Sequence, residues 1–130
     1  MENPFYQKPE KNEREPRTNI HVEIQTTAWY RPPDGKEEVS IRACIADISE
    51  KGARFITSRE EIPVDAEIRA TFQLPGLENA LPVTSLGKAN RTKHLEGGKW
   101  GTGVEFTEVS ETSRRLIRSF VSLRQLGETF

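Results

Sequence analysis

AEIRATFQL, residues 66–74, has the most regular alternation in the chain and decides its fold class. Apolar side chains stand at every second position from Ala66 to Leu74, separated by charged or polar ones. Successive side chains of a β-strand point to opposite faces, so this pattern predicts a strand with one face in a core and the other in water. We therefore expect a mainly β protein.

Similar segments lie on both sides of this strand. Five of them are rich in alternating or β-branched residues and are separated by turn residues such as Pro32–Gly35. They are residues 19–31, 39–45, 53–57, 81–92 and 100–106. Six short strands within about 90 residues predict a small antiparallel barrel or sandwich.

The carboxyl end follows a helical pattern. From Ser110 to Leu126, apolar residues recur at helical intervals with arginines between them. We expect Ser110 to cap the helix, and Glu111 places negative charge in the first turn, where the helix dipole favours it. The sequence thus predicts one amphipathic helix, at about residues 110–124, packed on the barrel.

Residues 1–17 differ in composition from the rest of the chain. They are rich in charged side chains and contain three prolines. Such a segment buries too little apolar surface to offset the entropy lost on ordering. We interpret it as a flexible arm, followed by a single domain at residues 18–130, which is long enough for one core.

The overall composition limits the partners and the compartment. The formal net charge of −1 provides no general attraction to nucleic acid or to an anionic membrane. The single cysteine, Cys44, excludes an internal disulfide and suits a reducing compartment. No apolar run approaches the roughly 20 residues of a membrane-spanning helix, and the amino terminus lacks the layout of a signal peptide. We expect a cytoplasmic protein without membrane insertion.

The patterns typical of enzymes are missing from the sequence. His21 and His94 do not have the spacing of metal ligands, and Gly87 and Lys88 are followed by alanine instead of the serine or threonine of a phosphate-binding loop. Asp47 does not open a calcium loop, because Ser58 stands at the twelfth position, where a glutamate is required. We predict a protein that is not an enzyme and has no metal or cofactor.

The hexapeptide DISEKG, Asp47–Gly52, has two interpretations. As a plain turn between strands, it would let Asp47 and Ser49 accept backbone N–H groups two residues on and would let Gly52 adopt a positive φ. As part of a site, it would offer the same carboxylate and hydroxyl to a ligand. The hexapeptide alone does not decide between them.

Taken with other segments, DISEKG resembles the second motif, [D/N]xSxxG, of the PilZ domain family. The resemblance also rests on Arg14 and Arg17 before the first strand, on GVEF at Gly103–Phe106 and on the terminal helix. It covers about residues 13–124. It implies a six-stranded antiparallel barrel with a C-terminal α-helix and an N-terminal arm, and a receptor for the bacterial second messenger cyclic di-GMP.

The resemblance also implies a set of ligand-binding residues: Arg14, Arg17, Asp47, Ser49, Gly52 and, near the end of the fifth strand, Arg91 or its neighbour Asn90. Arginine can grip a phosphate with two hydrogen bonds or read the O6 and N7 atoms of guanine. Ligand binding would order the arm and thereby regulate a partner protein, such as an effector of motility or of exopolysaccharide output.

The arginine spacing differs from the RxxxR of the family. Counted back from Arg17, the fourth position is Glu13 and the arginine is Arg14. Either the segment is one residue shorter and both arginines keep their roles, or Glu13 replaces the first arginine and its carboxylate opposes an anionic ligand. In the second case, the chain is a PilZ-like adaptor that binds a partner protein without nucleotide.

Trp29, Tyr30 and Arg31 raise a third alternative, a barrel that stacks single-stranded nucleic acid. Adjacent strand residues point to alternating faces, and the chain has no excess of basic residues. We therefore do not expect nucleic acid as a partner.

Overall fold

The computed structural model describes residues 19–35, 37–77 and 81–129. Six strands and one long helix account for most of them: β1 (Ile20–Arg31), β2 (Val39–Ile48), β3 (Gly52–Ser58), β4 (Glu67–Phe72), β5 (Val83–His94), β6 (Lys99–Val109) and α1 (Glu111–Thr129). A short 3₁₀ turn at Glu96–Gly98 joins β5 to β6. The flexible arm predicted at residues 1–17 lies outside the described residues.

The six strands close into a barrel in the order β1-β2-β3-β6-β5-β4, and each is antiparallel to its neighbours. β1 pairs with β2 along most of its length, and its second half closes the barrel by pairing with β4, Ala28 opposite Ala70 and Arg31 opposite Glu67. The predicted six-stranded antiparallel barrel with a C-terminal helix is confirmed.

The alternating side chains of the strands fill the barrel interior. Small residues such as Ala28 and Ala70 are buried beside large ones such as Phe55 and Ile68. A barrel of six strands is narrow, so a mixture of small and large side chains is needed to fill its interior. The apolar residues that alternate along residues 66–74 are buried in this interior.

The pairing register shifts on four strands. The shifts fall between His21 and Ile24 on β1, between Ile45 and Asp47 on β2, between Ala89 and Arg91 on β5, and between Phe106 and Glu108 on β6. Because side chains alternate with a period of two, one extra residue can reverse the facing of the residues beyond it. On β2 the extra residue is Ala46, so Ile48 enters the core and Asp47 faces outward.

Helix α1 lies at the end of the barrel where β1 begins and β2 ends. Its buried residues Ile117, Phe120 and Val121 belong to the same hydrophobic cluster as the strands. The Ser110 hydroxyl accepts the Ser113 N–H at 3.1 Å, as expected of a helix cap. The Ser113 hydroxyl accepts the Thr84 N–H at 3.1 Å, which fixes the start of the helix on β5.

The helix continues to Thr129, past the end predicted near residue 124. Every residue from Ser122 to Gly127 is exposed. The spacing of apolar residues indicates which part of a helix is buried. It therefore cannot locate the end of a helix whose last turns are exposed to water. Neither α1 nor any other described helix has both the length and the hydrophobicity needed to cross a membrane.

Candidate functional site

The turn between β2 and β3 is organised by Ser49. Its hydroxyl oxygen accepts the Lys51 N–H at 3.2 Å, and its own N–H donates to the Gly52 carbonyl at 2.9 Å. The Phe106 N–H donates to the Lys51 carbonyl at 2.8 Å, which attaches the turn to β6. The local hydrogen bond predicted for Ser49 is therefore present, and the turn is hydrogen-bonded both within itself and to β6.

Gly52 faces the backbone of β6 directly. Its φ does not lie in the left-handed region, so the positive φ predicted for this residue is wrong. A Cβ at this position would overlap the Val104 carbonyl oxygen and would lie 3.2 Å from the Val104 carbonyl carbon. The position requires glycine because the neighbouring strand passes too close for a side chain.

Asp47 contacts side chains on both adjacent strands. Its Oδ1 lies 2.8 Å from His21 Nδ1 on β1, and its Oδ2 accepts the Arg54 Nε–H from β3 at 2.6 Å. The predicted bond from the backbone two residues on is wrong, because the Ser49 N–H donates to Gly52 instead. The Asp47 side chain is 16% exposed, whereas His21 is 90% exposed and Arg54 is 45% exposed. The carboxylate is thus held at the surface between two accessible polar groups.

These residues belong to a row that crosses five strands, which we call the cross-strand row. Successive members pair in the register of the sheet: His21 with Asp47, Asp47 with Arg54, Arg54 with Gly103, and Gly103 with Arg91. The bulge residue Asn90 lies beside the row, with its Oδ1 3.1 Å from the position that a Gly103 Cβ would take. The structure therefore brings Arg91, the additional residue of the sequence prediction, into line with Asp47.

The turn is also connected to the helix. Arg118 of α1 donates from Nε and Nη2 to the two carboxylate oxygens of Glu50, each at 3.3 Å. Beside this contact is a cavity of about 150 Å³, lined by Glu50, Lys51, residues 105–109 and Arg114. This ion pair therefore links the turn to the helix at the surface.

A larger open groove of about 790 Å³ lies along β1 and the end of β4. It extends from Glu23 to Trp29 on β1 and is bounded by Thr71–Pro75 on the other side. Neither Asp47 nor Ser49 lines it. We place the candidate site at the cross-strand row because the polar side chains converge there.

The aromatic residues near the end of β1 do not share a face. Tyr30 is buried, and its hydroxyl donates to Glu60 at 2.8 Å. Trp29 is partly exposed, and the Arg69 guanidinium lies 4.5 Å from the centre of its ring. This arrangement does not offer Trp29 and Tyr30 together as a stacking surface for bases.

The predicted site residues fall into two groups. Asp47, Ser49, Gly52 and Arg91 are on the barrel as described above, whereas Glu13, Arg14 and Arg17 lie outside the described residues. Sequence reasoning missed His21 and Arg54 as partners of Asp47. The signal in the sequence was that His21 and Arg54 take outward positions on the strands next to DISEKG. Their pairing with Asp47, however, depends on the register shifts at the bulges. No cluster of three or more potential metal ligands occurs in the part of the chain that the structure describes.

The closed barrel, the polar turn and the terminal helix define a class of small six-stranded β-barrel domains with a C-terminal helix. The profile of the PilZ domain family matches residues 11–123, which is most of the chain. The chain therefore belongs to the PilZ domain family. PilZ domains are binding and adaptor domains, and reception of cyclic di-GMP is the function of the family.

Among solved structures, the Bacillus subtilis inhibitor of motility (MotI/DgrA) is similar to this chain, with a TM-score of 0.68 and 15% sequence identity. The similarity covers 92% of this chain and 57% of that protein, so the chain spans a little over half of its length. At this identity the likeness concerns the fold. A comparison with curated protein sequences finds no match.

Proposed function

We propose that this chain is a receptor for cyclic di-GMP that binds the dinucleotide at the cross-strand row and the β2–β3 turn. The observation that carries the proposal is the outward carboxylate of Asp47. The bulge at Ala46 turns this group of the family motif toward solvent, although strict alternation would bury it. Bulges often re-aim a side chain next to a functional site.

Arg17 is close in sequence to a residue that contacts this carboxylate. Arg17 is four residues before His21, which pairs with Asp47. Peptide geometry therefore keeps the two Cα atoms, of Arg17 and His21, within about 14 Å of each other. Arg14 and Arg17 would bind the phosphates or the O6 and N7 atoms of guanine, and Asp47 would accept the guanine N–H groups. Ser49 and Gly52 would hold the turn in its tight conformation.

Calorimetric titration of the purified chain with cyclic di-GMP tests this proposal. We expect saturable binding that is weakened at least tenfold by Asp47→Ala and by Arg14→Ala combined with Arg17→Ala. Cyclic di-AMP should bind much more weakly, because adenine carries a donor where guanine carries O6. Arg31→Ala combined with Arg69→Ala is the matched control, since it removes two arginines near the far end of β1, one on β1 and one on β4. Absence of heat with cyclic di-GMP at high micromolar concentration would reject the proposal.

The two alignments of the arginine motif make different predictions for Glu13. If Arg14 and Arg17 fill both roles, Glu13→Ala should leave the affinity close to wild type and Arg14→Ala should reduce it. If Glu13 faces the ligand, Glu13→Ala should tighten binding, because an opposing carboxylate is removed.

Binding would also order the arm, which would couple the ligand to a partner protein. Hydrogen exchange of residues 1–18, with and without cyclic di-GMP, measures this step. We expect slower exchange in that segment on ligand addition. Unchanged exchange at saturating ligand would show that the arm does not take part.

One observation favours a second function, that of an adaptor without nucleotide. Both carboxylate oxygens of Asp47 already have partners within the protein, His21 and Arg54. A site whose acceptor is satisfied internally does not need a ligand to complete it. In that case, replacing Arg14 and Arg17 with alanine should leave the cellular phenotype intact, and its loss would count against the adaptor function.

A further inference from the structure

Arg54 occupies a position that the PilZ motifs do not specify. It lies on β3 in the cross-strand row, with Asp47 on one side and Gly103 on the other. Its side chain is 45% exposed, and the described contact with Asp47 uses only its Nε–H. A guanidinium has five donor hydrogens in a planar fork, so the contact through Nε–H does not use the donors of the two terminal groups.

Beyond Arg54, the row continues across Gly103 to Arg91. Gly103 has no side chain, and Arg91 stands on the next strand across. Adjacent strands are about 4.8 Å apart, so Arg54 and Arg91 are separated by roughly 10 Å at their backbones. The Asn90 side chain lies over Gly103 between them. Two exposed arginines therefore border a strip with a hydrogen-bonding amide on its floor.

The adjacent Asp47 and Arg54 match two neighbouring parts of a guanine. A carboxylate accepts the N1–H and N2–H groups of the base, and an arginine donates to its O6 and N7 atoms. Because O6 is next to N1 on the ring, the two side chains must stand side by side to contact one base. Asp47 and Arg54 are cross-strand neighbours joined at 2.6 Å.

Resting on the proposed function, we propose that Arg54 is a further specificity-determining residue of the cyclic di-GMP site: its guanidinium reads the O6 and N7 edge of the guanine whose N–H groups Asp47 accepts. The pair with Asp47 holds the guanidinium in place before the ligand arrives. Adenine presents an amino donor in place of O6, so Arg54 discriminates against it.

The experiment measures the affinity of wild type, Arg54→Ala and Arg54→Lys for cyclic di-GMP. We expect Arg54→Ala to weaken binding about ten- to hundredfold. Arg54→Lys should recover only part of the loss, because lysine keeps the charge without the fork. The matched control is Arg69→Ala, since Arg69 is 44% exposed and also pairs with a carboxylate, Glu38, at 2.9 Å. It should bind like wild type.

Arg54 could contact the base itself, or it could act only by positioning Asp47. A second ligand and a double variant distinguish these two roles. Cyclic di-IMP keeps O6 and N7 but lacks the N2 amino group. Arg54→Ala should therefore reduce the affinity for cyclic di-GMP and for cyclic di-IMP by the same factor. Asp47→Ala should reduce the affinity for cyclic di-IMP by a smaller factor than the affinity for cyclic di-GMP. In the Asp47→Ala background, Arg54→Ala should still weaken binding. A loss that disappears in that background would overturn the inference.

The outcomes also distinguish this inference from the function on which it rests. Binding by wild type with unchanged binding by Arg54→Ala would overturn the role of Arg54 alone. Failure of wild type to bind cyclic di-GMP would overturn the proposed function and this role with it. Urea unfolding of Arg54→Ala should show a cooperative transition with a small loss of stability, because Asp47 is only 16% exposed but keeps its contact with His21.

Discussion

Gly52 is the residue at which two strands of the barrel come closest. The Val104 carbonyl oxygen fills the space that a Cβ would need, and the obstacle is backbone that cannot rotate away. We predict that Gly52→Ala lowers the free energy of unfolding by about 1–3 kcal/mol, the usual cost of overpacking. Urea denaturation followed by circular dichroism measures this change.

The matched control for Gly52 is the same substitution at Gly127. Nothing lies within 4 Å of a Cβ at that exposed position of α1. Alanine is a better helix former than glycine, so Gly127→Ala should leave the stability unchanged or raise it slightly. Equal effects of the two substitutions would contradict the account of Gly52.

Tyr30 makes the stability of the barrel sensitive to alkaline pH. Burial, and then the hydrogen bond to Glu60 and its negative charge, raise the pKa of Tyr30 to about 12. The folded state therefore retains a proton that the unfolded chain releases from pH 10 upward. The contribution of Tyr30 to the free energy of unfolding is complete below pH 10 and is lost as the pH rises toward 12.

We predict that Tyr30→Phe lowers the free energy of unfolding near neutral pH by about 1–2 kcal/mol, because the hydrogen bond to Glu60 is lost. Urea denaturation of both proteins from pH 8 to pH 12 tests the pH dependence. The difference between them should shrink above pH 10, since only wild type loses the contribution of Tyr30 there. A constant difference across this range would contradict the raised pKa.

At the level of elements, α1 depends on its first turn. The Ser110 hydroxyl satisfies the Ser113 N–H, one of the N–H groups at the start of a helix that have no partner within it. We predict that Ser110→Ala destabilises the protein by about 1 kcal/mol, measured by urea denaturation. Ser119→Ala, at an exposed position in the middle of the same helix, should have no destabilising effect. A similar loss from both variants would argue against the cap.

For the molecule as a whole, the barrel and the helix share one core. Ile117 is completely buried and belongs to the same cluster as residues from the strands. We predict that Ile117→Ala costs about 2–5 kcal/mol, because it leaves a cavity where the helix meets the barrel. The unfolding should remain a single transition. Leu123→Ala is the control, since Leu123 is 59% exposed on the same helix.

Two results would contradict this shared core. One is a loss of helical signal in Ile117→Ala before the strands unfold, which would show that α1 folds separately. The other is an equal effect of Leu123→Ala, which would show that the destabilisation does not come from burial. Both are read from the same circular dichroism measurements.

Sequence reasoning predicted the six strands and the helix because their signals are local. A strand alternates with a period of two and a helix with 3.6, whatever the rest of the chain does. The Ser49 turn was also predictable, since its hydrogen bonds join residues at most three positions apart. The same local reasoning failed for Gly52, whose constraint comes from β6, about 50 residues further along the chain.

The amino-acid sequence by itself determined the barrel strands, the terminal helix and the motif that resembles a nucleotide site. Only the tertiary structure decided that Asp47 faces outward, that His21 and Arg54 flank it, and that Glu50 meets Arg118. Cross-strand pairing depends on register, and register depends on where bulges fall when the whole barrel closes around its core. A contact between distant strands is therefore a property of the closed sheet, and no single segment encodes it.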